Sequence, residues 1–448
     1  MVPLSRAGTI SGGLTKNRKR NSHELQVSYL RVANVYQNEL RLDDVQQIGL
    51  TENEFNKTRL QKGDLLIVEG NGSKGQIGRL AIWDGSVDPC VHQNHLIRVR
   101  LSDGVLPKFV SYWFSSPEGR ASVEAVASST SGLYTLSISK VGRLEIPLPP
   151  LPEQRRIVAR IEELFSRLAA GVAALRHAKA QLQRYRQSIL AAAVTGQLTQ
   201  AWREQNPDTE PSSELLERML DQREERWTGK GKYREPAKPE LKDATEIPAS
   251  WEWSTAEALS DQNRAITYGV IKLGKDFDEG IPTLRSSDVR PLRIELDHVK
   301  QIDPAIAQNY RRTFLEGGEL LVTVRGTLGG ICVVPDDCTG FNISREVAMI
   351  APVIPEVGPC TALMIASQPL QSWMLGRAKG ITYRGVNIET LKRLPIPLPP
   401  LAEQHQIVAE VEARTTAIDH LEAELDRQIT RSNRLRQSAL AAAFCGKL

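Results

Sequence analysis

The sequence predicts an α+β protein: two similar domains, each followed by a long helix, with the two helices antiparallel and coiled-coil-like under a pseudo-twofold internal repeat. Three observations predict it. Ile146–Leu164 (IPLPPLPEQRRIVARIEEL) recurs as Ile396–Arg414 (IPLPPLAEQHQIVAEVEAR), identical at 12 of 19 positions. The same 250-residue offset aligns Arg184–Leu198 with Arg434–Leu448, identical at 10 of 15, so no net insertion separates the copies. A period that long marks a duplicated domain pair, since solenoid repeats run about 20–50 residues. Ahead of each copy, short apolar runs alternate with glycine turns, which is the pattern of strands.

The first domain, residues 1–147, reads as β-rich. Val27–Val35 (VSYLRVANV), Asp64–Val68, Arg79–Trp83 and Leu96–Val99 alternate or run apolar between Gly12-Gly13, Gly63-Asp64 and the loop Glu69–Gly78 (EGNGSKGQIG). Pro107–Ser115 reads as a helix, and another starts after Pro117. Pro147, Pro149 and Pro150 exclude helix and central strand, because proline lacks the N–H and fixes φ. Pro152 suits a first helical turn, and Glu153 favours that turn through the helix dipole. The helix of residues 148–198 carries Ile157, Ile161, Leu164, Leu168, Val172, Leu175, Leu182 and Ile189, spaced mostly by three and four as in a heptad seam. Its copy, residues 397–448, offers Ile407, Val411, Ile418, Leu421, Leu425, Leu435 and Leu440. The helical run, roughly 43 residues at about 1.5 Å each, would span about 64 Å and expose a full apolar stripe alone, so the two are expected to pack together and hold the domains apart.

Residues 199–246 differ in kind. They are charged and proline-bearing, with one helix expected over Ser213–Trp227 and a tail that reads as a solvated linker. Trp251 and Trp253 open the second domain, residues 247–396, as expected core anchors. Thr267–Val270 answers Thr9–Gly13, Thr283–Val289 answers Tyr29–Val35, and Gly318–Val322 answers Gly63–Ile67. The second domain begins with IPASWEW and the first abruptly with MVPLSRAGTISGG, so the first copy is expected to lack an opening strand or to start clipped. Helices that repeat closely beside domains whose loops diverge suggest two modules doing one job on different targets.

Composition bounds the class. No run of 18 apolar residues predicts a membrane span, and no apolar leader suggests export. Five cysteines, an odd number with no CxxC, fit a reduced, cytoplasmic protein. A net charge of +4 permits nucleic-acid binding without demanding it.

Several motifs occur together: PLPPLxEQxxIV at each helix entry, RQSxLAAAxxGxL at each helix end, YLRVANV, EGNGSKGQIGRLAIW, CVHQNHLIRV, TVRGTLGG and FNISREVAMI. As a set they resemble the specificity (S) subunit of type I restriction-modification systems, over essentially the whole chain. The resemblance implies that both α+β units are target recognition domains, each reading one half of a split double-stranded DNA site. It implies that the helices dock two methyltransferase subunits and, through them, the restriction translocase. It also implies a subunit without catalysis, with S-adenosylmethionine, ATP and Mg on the partners.

DNA recognition needs Lys and Arg for phosphates, and Asn, Gln and Arg for base edges. Lys16, Arg18, Lys19 and Arg20 form a basic run; Asn71, Ser73 and Lys74 lie in a glycine loop; His92, Gln93 and Asn94 follow a turn. In the second domain Arg325 and Thr327 occupy the matching loop, Asn342, Ser344 and Arg345 the later turn, and Tyr383 and Arg384 a glycine-flanked loop. For the basic run the plain alternative is a solvated face, and for Gln93, Asn94 and Asn342 it is backbone capping. Cys90, His92 and His95 have metal-like types without a second cluster. No GxxxxGK[ST] phosphate loop and no NPPF- or DPPY-type tetrapeptide occurs, and Glu240-Leu241-Lys242 lies in the charged linker without a strand around it. These absences disfavour the rival class, a fused methyltransferase or nuclease. The glycine-loop domains disfavour a coiled-coil scaffold without DNA contact.

Overall fold

The computed structural model describes the chain except residues 131, 230, 242–244, 379–384 and 448, and the side chains at 19, 21 and 130. Two compact units emerge, Met1–His177 with Leu425–Leu448, and Ala178–Glu424. Each long helix thus gives a part to each unit.

In the first unit an antiparallel sheet runs in the order Gly8–Ser11, Leu96–Leu101, Leu65–Val68, Leu80–Ile82. Side chains alternate across a strand, so one strand feeds two cores. Leu65, Ile67, Ile97 and Val99 pack with Phe109, Val110 and Phe114, and with Ile157, Ile161 and Leu440 of the long helices. Leu66, Val68 and Leu96 pack on the other side with Leu30, Trp83 and Cys90. A second sheet centres on Leu25–Leu30, antiparallel to Gln46–Leu50 and parallel to Cys90–His92. Helices Pro107–Ser115 and Pro117–Val126 each open on a proline at the first turn, as the sequence predicts. The expectation that the first copy lacks an opening strand is corrected: Val2–Pro3 pairs antiparallel with Glu145–Ile146.

The second unit repeats the plan. Thr267–Tyr268, Val347–Ile350, Leu320–Thr323 and Ile331–Val333 form the four-stranded sheet. Ile281–Leu284 lies between antiparallel Lys300–Ile302 and parallel Asn342–Ile343. The proline tract itself begins as a strand here, Pro395–Leu398 against Glu252–Thr255. A two-stranded edge tolerates the missing N–H groups.

The long helices are Leu151–Val194 and Leu401–Phe444, 44 residues each. Gly196 and Gly446 follow them at φ +73° and +71°, the left-handed turn that ends a helix. Within the second unit the segments run antiparallel: Arg186 pairs with Asp419 near mid-helix, and Arg203, beyond the first helix, reaches Glu403 at the start of the other. Within the first unit Arg436 stacks 5.0 Å above Phe165, and Phe109 meets Phe444 edge-on at 5.3 Å. The predicted seam holds at Ile157, Ile161, Ile189, Ile407, Val411, Ile418 and Leu440. It fails at Leu421 and Leu435, which are exposed, because two helices cannot enclose every seam position between them.

The helix expected over Ser213–Trp227 is present as Ser212–Glu225, but its burial and the solvated-linker reading of the tail after it need correction. Gln200–Gln205 and Ser212–Glu225 are helices, and Leu215 and Met219 are fully buried in the second unit's core with Trp251. Arg223 is buried too, donating to Ser260 O, Tyr233 Oη and Arg234 O. Trp251 is the predicted anchor; Trp253 is only half-buried.

Candidate nucleic-acid interface

In the first unit one turn gathers five segments. The Leu14 N–H donates to His92 O (2.8 Å), Gln93 N–H to Leu30 O (2.9 Å), Asn94 N–H to Leu14 O (3.0 Å), Glu69 N–H to His95 O (3.0 Å) and Leu136 N–H to Glu69 O (2.8 Å). The second unit repeats all five bonds: Val270 N–H to Ile343 O (2.8 Å), Ser344 N–H to Leu284 O (2.8 Å), Arg345 N–H to Val270 O (2.9 Å), Val324 N–H to Glu346 O (2.8 Å) and Val386 N–H to Val324 O (2.9 Å). Two glycines make the approach possible. A Cβ on Gly13 would sit 2.1 Å from His92 O, and one on Gly269 1.8 Å from Ile343 O.

This scaffold sorts the sequence candidates. Asn94 and Arg345 occupy the same bonded position, the first half-buried and the second exposed. Ser73, Lys74, Arg325 and Thr327 are exposed on the loops beside them, with Asn71 Oδ1 accepting from Ser73 N–H at 2.9 Å. Gln93 is half-buried, its Oε1 3.4 Å from the Val32 N–H. Lys16 and Arg18 are exposed; Lys16 Nζ donates to Gln46 Oε1 at 3.1 Å. The Lys19 side chain, Tyr383 and Arg384 lie outside the described residues, as does Lys242.

Four candidates turn inward. Arg20 forks onto Glu54 at 2.9 and 3.2 Å and also donates to Thr15 O and Gly49 O. With the Thr51 N–H it holds the Glu54 carboxyl down at about 2. This arginine clamps the fold rather than facing a ligand. Asn342 is buried, taking a hydrogen bond from Thr313 Oγ1 at 2.7 Å and one from the Ile343 N–H at 2.8 Å, so the capping reading is the correct one. Ser344 is buried beside it. His92 is fully buried, Nδ1 2.9 Å from Leu96 O.

Burial, helped by the Arg98 charge, pushes the His92 imidazole down to about 4. Its folded value lies below its unfolded one, near 6.5, so the neutral ring stabilises the fold above about pH 6.5. That stabilisation is lost as pH falls from about 6.5 to about 4, a cost of about 3 kcal/mol. Melting of the full chain followed against pH is expected to show this loss, and His92→Gln to flatten it; an unchanged slope would remove His92 as its cause.

Sequence reasoning missed Tyr134, which faces Asn71 across a strand pair, and Tyr268, which stacks on Arg325. Tyr268 stood inside the quoted repeat, but no pattern of spacing reveals a stacking partner 57 residues away. Among the described residues no group of three His, Cys, Asp or Glu could hold a metal, and no helix is long and apolar enough to cross a membrane. Burial pushes the Cys90 and Cys332 thiols up to about 12, so neither is a ready nucleophile.

The chain belongs to the family of the type I restriction modification DNA specificity domain, whose model matches residues 4–173 and 302–431. It is similar to the specificity subunit of the type I restriction enzyme EcoBI from Escherichia coli, 31% identical over 329 residues that cover 73% of this chain and 63% of that one. It is 34% identical over 208 residues to the EcoKI specificity subunit of Escherichia coli K12, covering 44% and 43%. The matches thus span about two fifths to just under two thirds of those relatives' lengths. Among solved structures, a chain from "Structural basis underlying complex assembly and conformational transition of the type I R-M system" aligns over 100% of this chain and 97% of its own at TM-score 0.66 and 18% identity. The HsdS subunit from Thermoanaerobacter tengcongensis aligns over 100% and 96% at TM-score 0.53 and 17% identity. Both likenesses show the fold.

Proposed function

We propose that this chain is the sequence-recognition subunit of a type I restriction-modification complex, each module reading one half of a bipartite DNA site. The carrying observation is the duplicated scaffold: five matched hydrogen bonds in each unit hold different side chains, half-buried Asn94 and exposed Arg345, at one equivalent place. An Asn94 amide suits adenine and an Arg345 guanidinium suits guanine. Lys16, Arg18 and Lys74 would meet phosphates, as would Lys19. On the helices, Tyr185 and Leu435 are exposed apolar residues 250 apart in the repeat, which fits one docking surface made twice for two copies of a methyltransferase subunit. Methyl transfer and ATP-driven translocation, with S-adenosylmethionine, ATP and Mg, would belong to the methyltransferase and restriction partners.

The test is to express the chain with a methyltransferase subunit and map methylated adenines. A bipartite site is the expected product; methylation by the purified chain alone would overturn the reading. Arg345→Ala should relax one base, by about 1–3 kcal/mol if the contact is bidentate. Lys74→Ala should weaken binding to all duplexes and lower its salt slope. Altered base preference in Lys74→Ala with an unchanged slope would move that lysine from phosphate to base.

A further inference from the structure

The two modules share their backbone bonds but differ sharply at one cluster of side chains. Counting from the matched bonds, Tyr268 stands where the first module has Gly12, Arg325 where it has Gly70, and Gly385 where it has Thr135. The backbone pairing survives the exchange: Gly70 pairs antiparallel with Thr135, and Arg325 bridges antiparallel to Gly385. In the second module the Arg325 guanidinium carbon lies 5.3 Å from the Tyr268 ring centroid. A Cβ on Gly385 would come within 3.1 Å of Arg325 Cγ and 3.8 Å of its Nε. Arg325 therefore lies against an aromatic face and across a bare stretch of backbone, and stays exposed. Among the described residues no carboxylate forms an ion pair with Arg325.

We propose that Tyr268 is a positioning residue, which together with the bare Gly385 backbone fixes the Arg325 guanidinium as a guanine reader in the second module's half-site. This rests on the DNA-recognition reading above. A phosphate needs only a charge nearby, whereas O6 and N7 of guanine must meet a planar fork in one orientation. Holding a long, flexible arginine on a ring removes the freedom that a bidentate contact would otherwise have to overcome. The first module, with glycine at both equivalent positions, has no such reader there.

The experiment sequences the methylated sites made in cells by the full complex carrying wild-type, Arg325→Ala, Tyr268→Leu or Tyr268→Phe chains. Arg325→Ala is expected to lower the preference for guanine at one position of the second half-site by about tenfold or more. Tyr268→Leu should lower it at that same position by about two- to fivefold, and Tyr268→Phe, which keeps the ring, should restore it. The first half-site is the internal control and should not change. A uniform loss across all positions would assign Arg325 to phosphate and overturn the proposal. So would a Tyr268→Leu chain that reads like wild type, or one that blurs both half-sites as a folding defect does. If the wild-type complex makes no bipartite site, the underlying function fails as well, a result separate from failure of the positioning alone.

Discussion

Replacing residues 199–398 with the corresponding stretch of a relative of different target is expected to change one half of the methylated sequence and leave the other half as it was. The boundaries follow from packing. Cutting at residue 247 would keep Leu215 and Met219 of the native helix and set them against a foreign core. A poorly filled site for one such side chain costs about 2–5 kcal/mol, so the two together remove a large part of a domain's ordinary stability of about 5–15 kcal/mol. Starting at residue 199 moves the helix together with the core that it fills, and ending at 398 carries the strand Pro395–Leu398 with its partner Glu252–Thr255. Each changed base pair is worth about 1–3 kcal/mol, so a half-site of several bases switches by orders of magnitude in affinity. Mapping methylated adenines in cells reads the result. Changes in both halves, or a switch obtained with the first module's residues alone, would sink the division of labour.

The repeat, the helix lengths, the glycine stops and the strands around Asp64–Val68 and Leu96–Val99 were legible, because each depends on local pattern: period, proline and glycine. What failed depended on partners far along the chain. Asn342 and His92 read as turn residues, but each lies in a short strand just ahead of the turn. Their burial comes from Gly269 and Gly13, which let a neighbouring strand close over them, and from Thr313, 29 residues before Asn342. Arg20 looked like its neighbours in a basic run until Glu54, 34 residues on, was placed beside it. In the segment 199–246 the helix was legible but its burial was not. Leu215, Leu216, Met219 and Leu220 form an apolar stripe on a helix, but the surrounding charge outweighed it in composition. Among the DNA candidates, Lys16, Arg18, Ser73, Lys74, Arg325, Thr327 and the turn residue Arg345 are exposed.

Glu403→Ala is expected to destabilise the second unit by about 3–5 kcal/mol, as removing one member of a buried ion pair does, while the equivalent change in the first copy, Glu153→Ala, leaves unfolding unaltered. The two glutamates hold the same place in the repeated motif, at the first turn of each long helix. Their surroundings differ. Glu403 is fully buried and accepts from Thr199 Oγ1 at 2.6 Å, from Trp251 Nε1 at 2.9 Å and from the Arg203 guanidinium. All three partners lie within the 199–251 segment that separates the copies. Truncation would strand a cation and an indole N–H together in a poorly hydrated site. Glu153 pairs with Arg156 one turn along its own helix, and both side chains are exposed; such surface pairs contribute little. Glu403→Gln, which keeps an acceptor for Trp251 and Thr199 but drops the charge, should fall between wild type and alanine. Thermal unfolding of the full chain, with amide hydrogen exchange in residues 199–251 reporting on the second unit, measures all three. If the two alanine variants unfold alike, the buried cluster is not what joins the 199–251 segment to the second long helix.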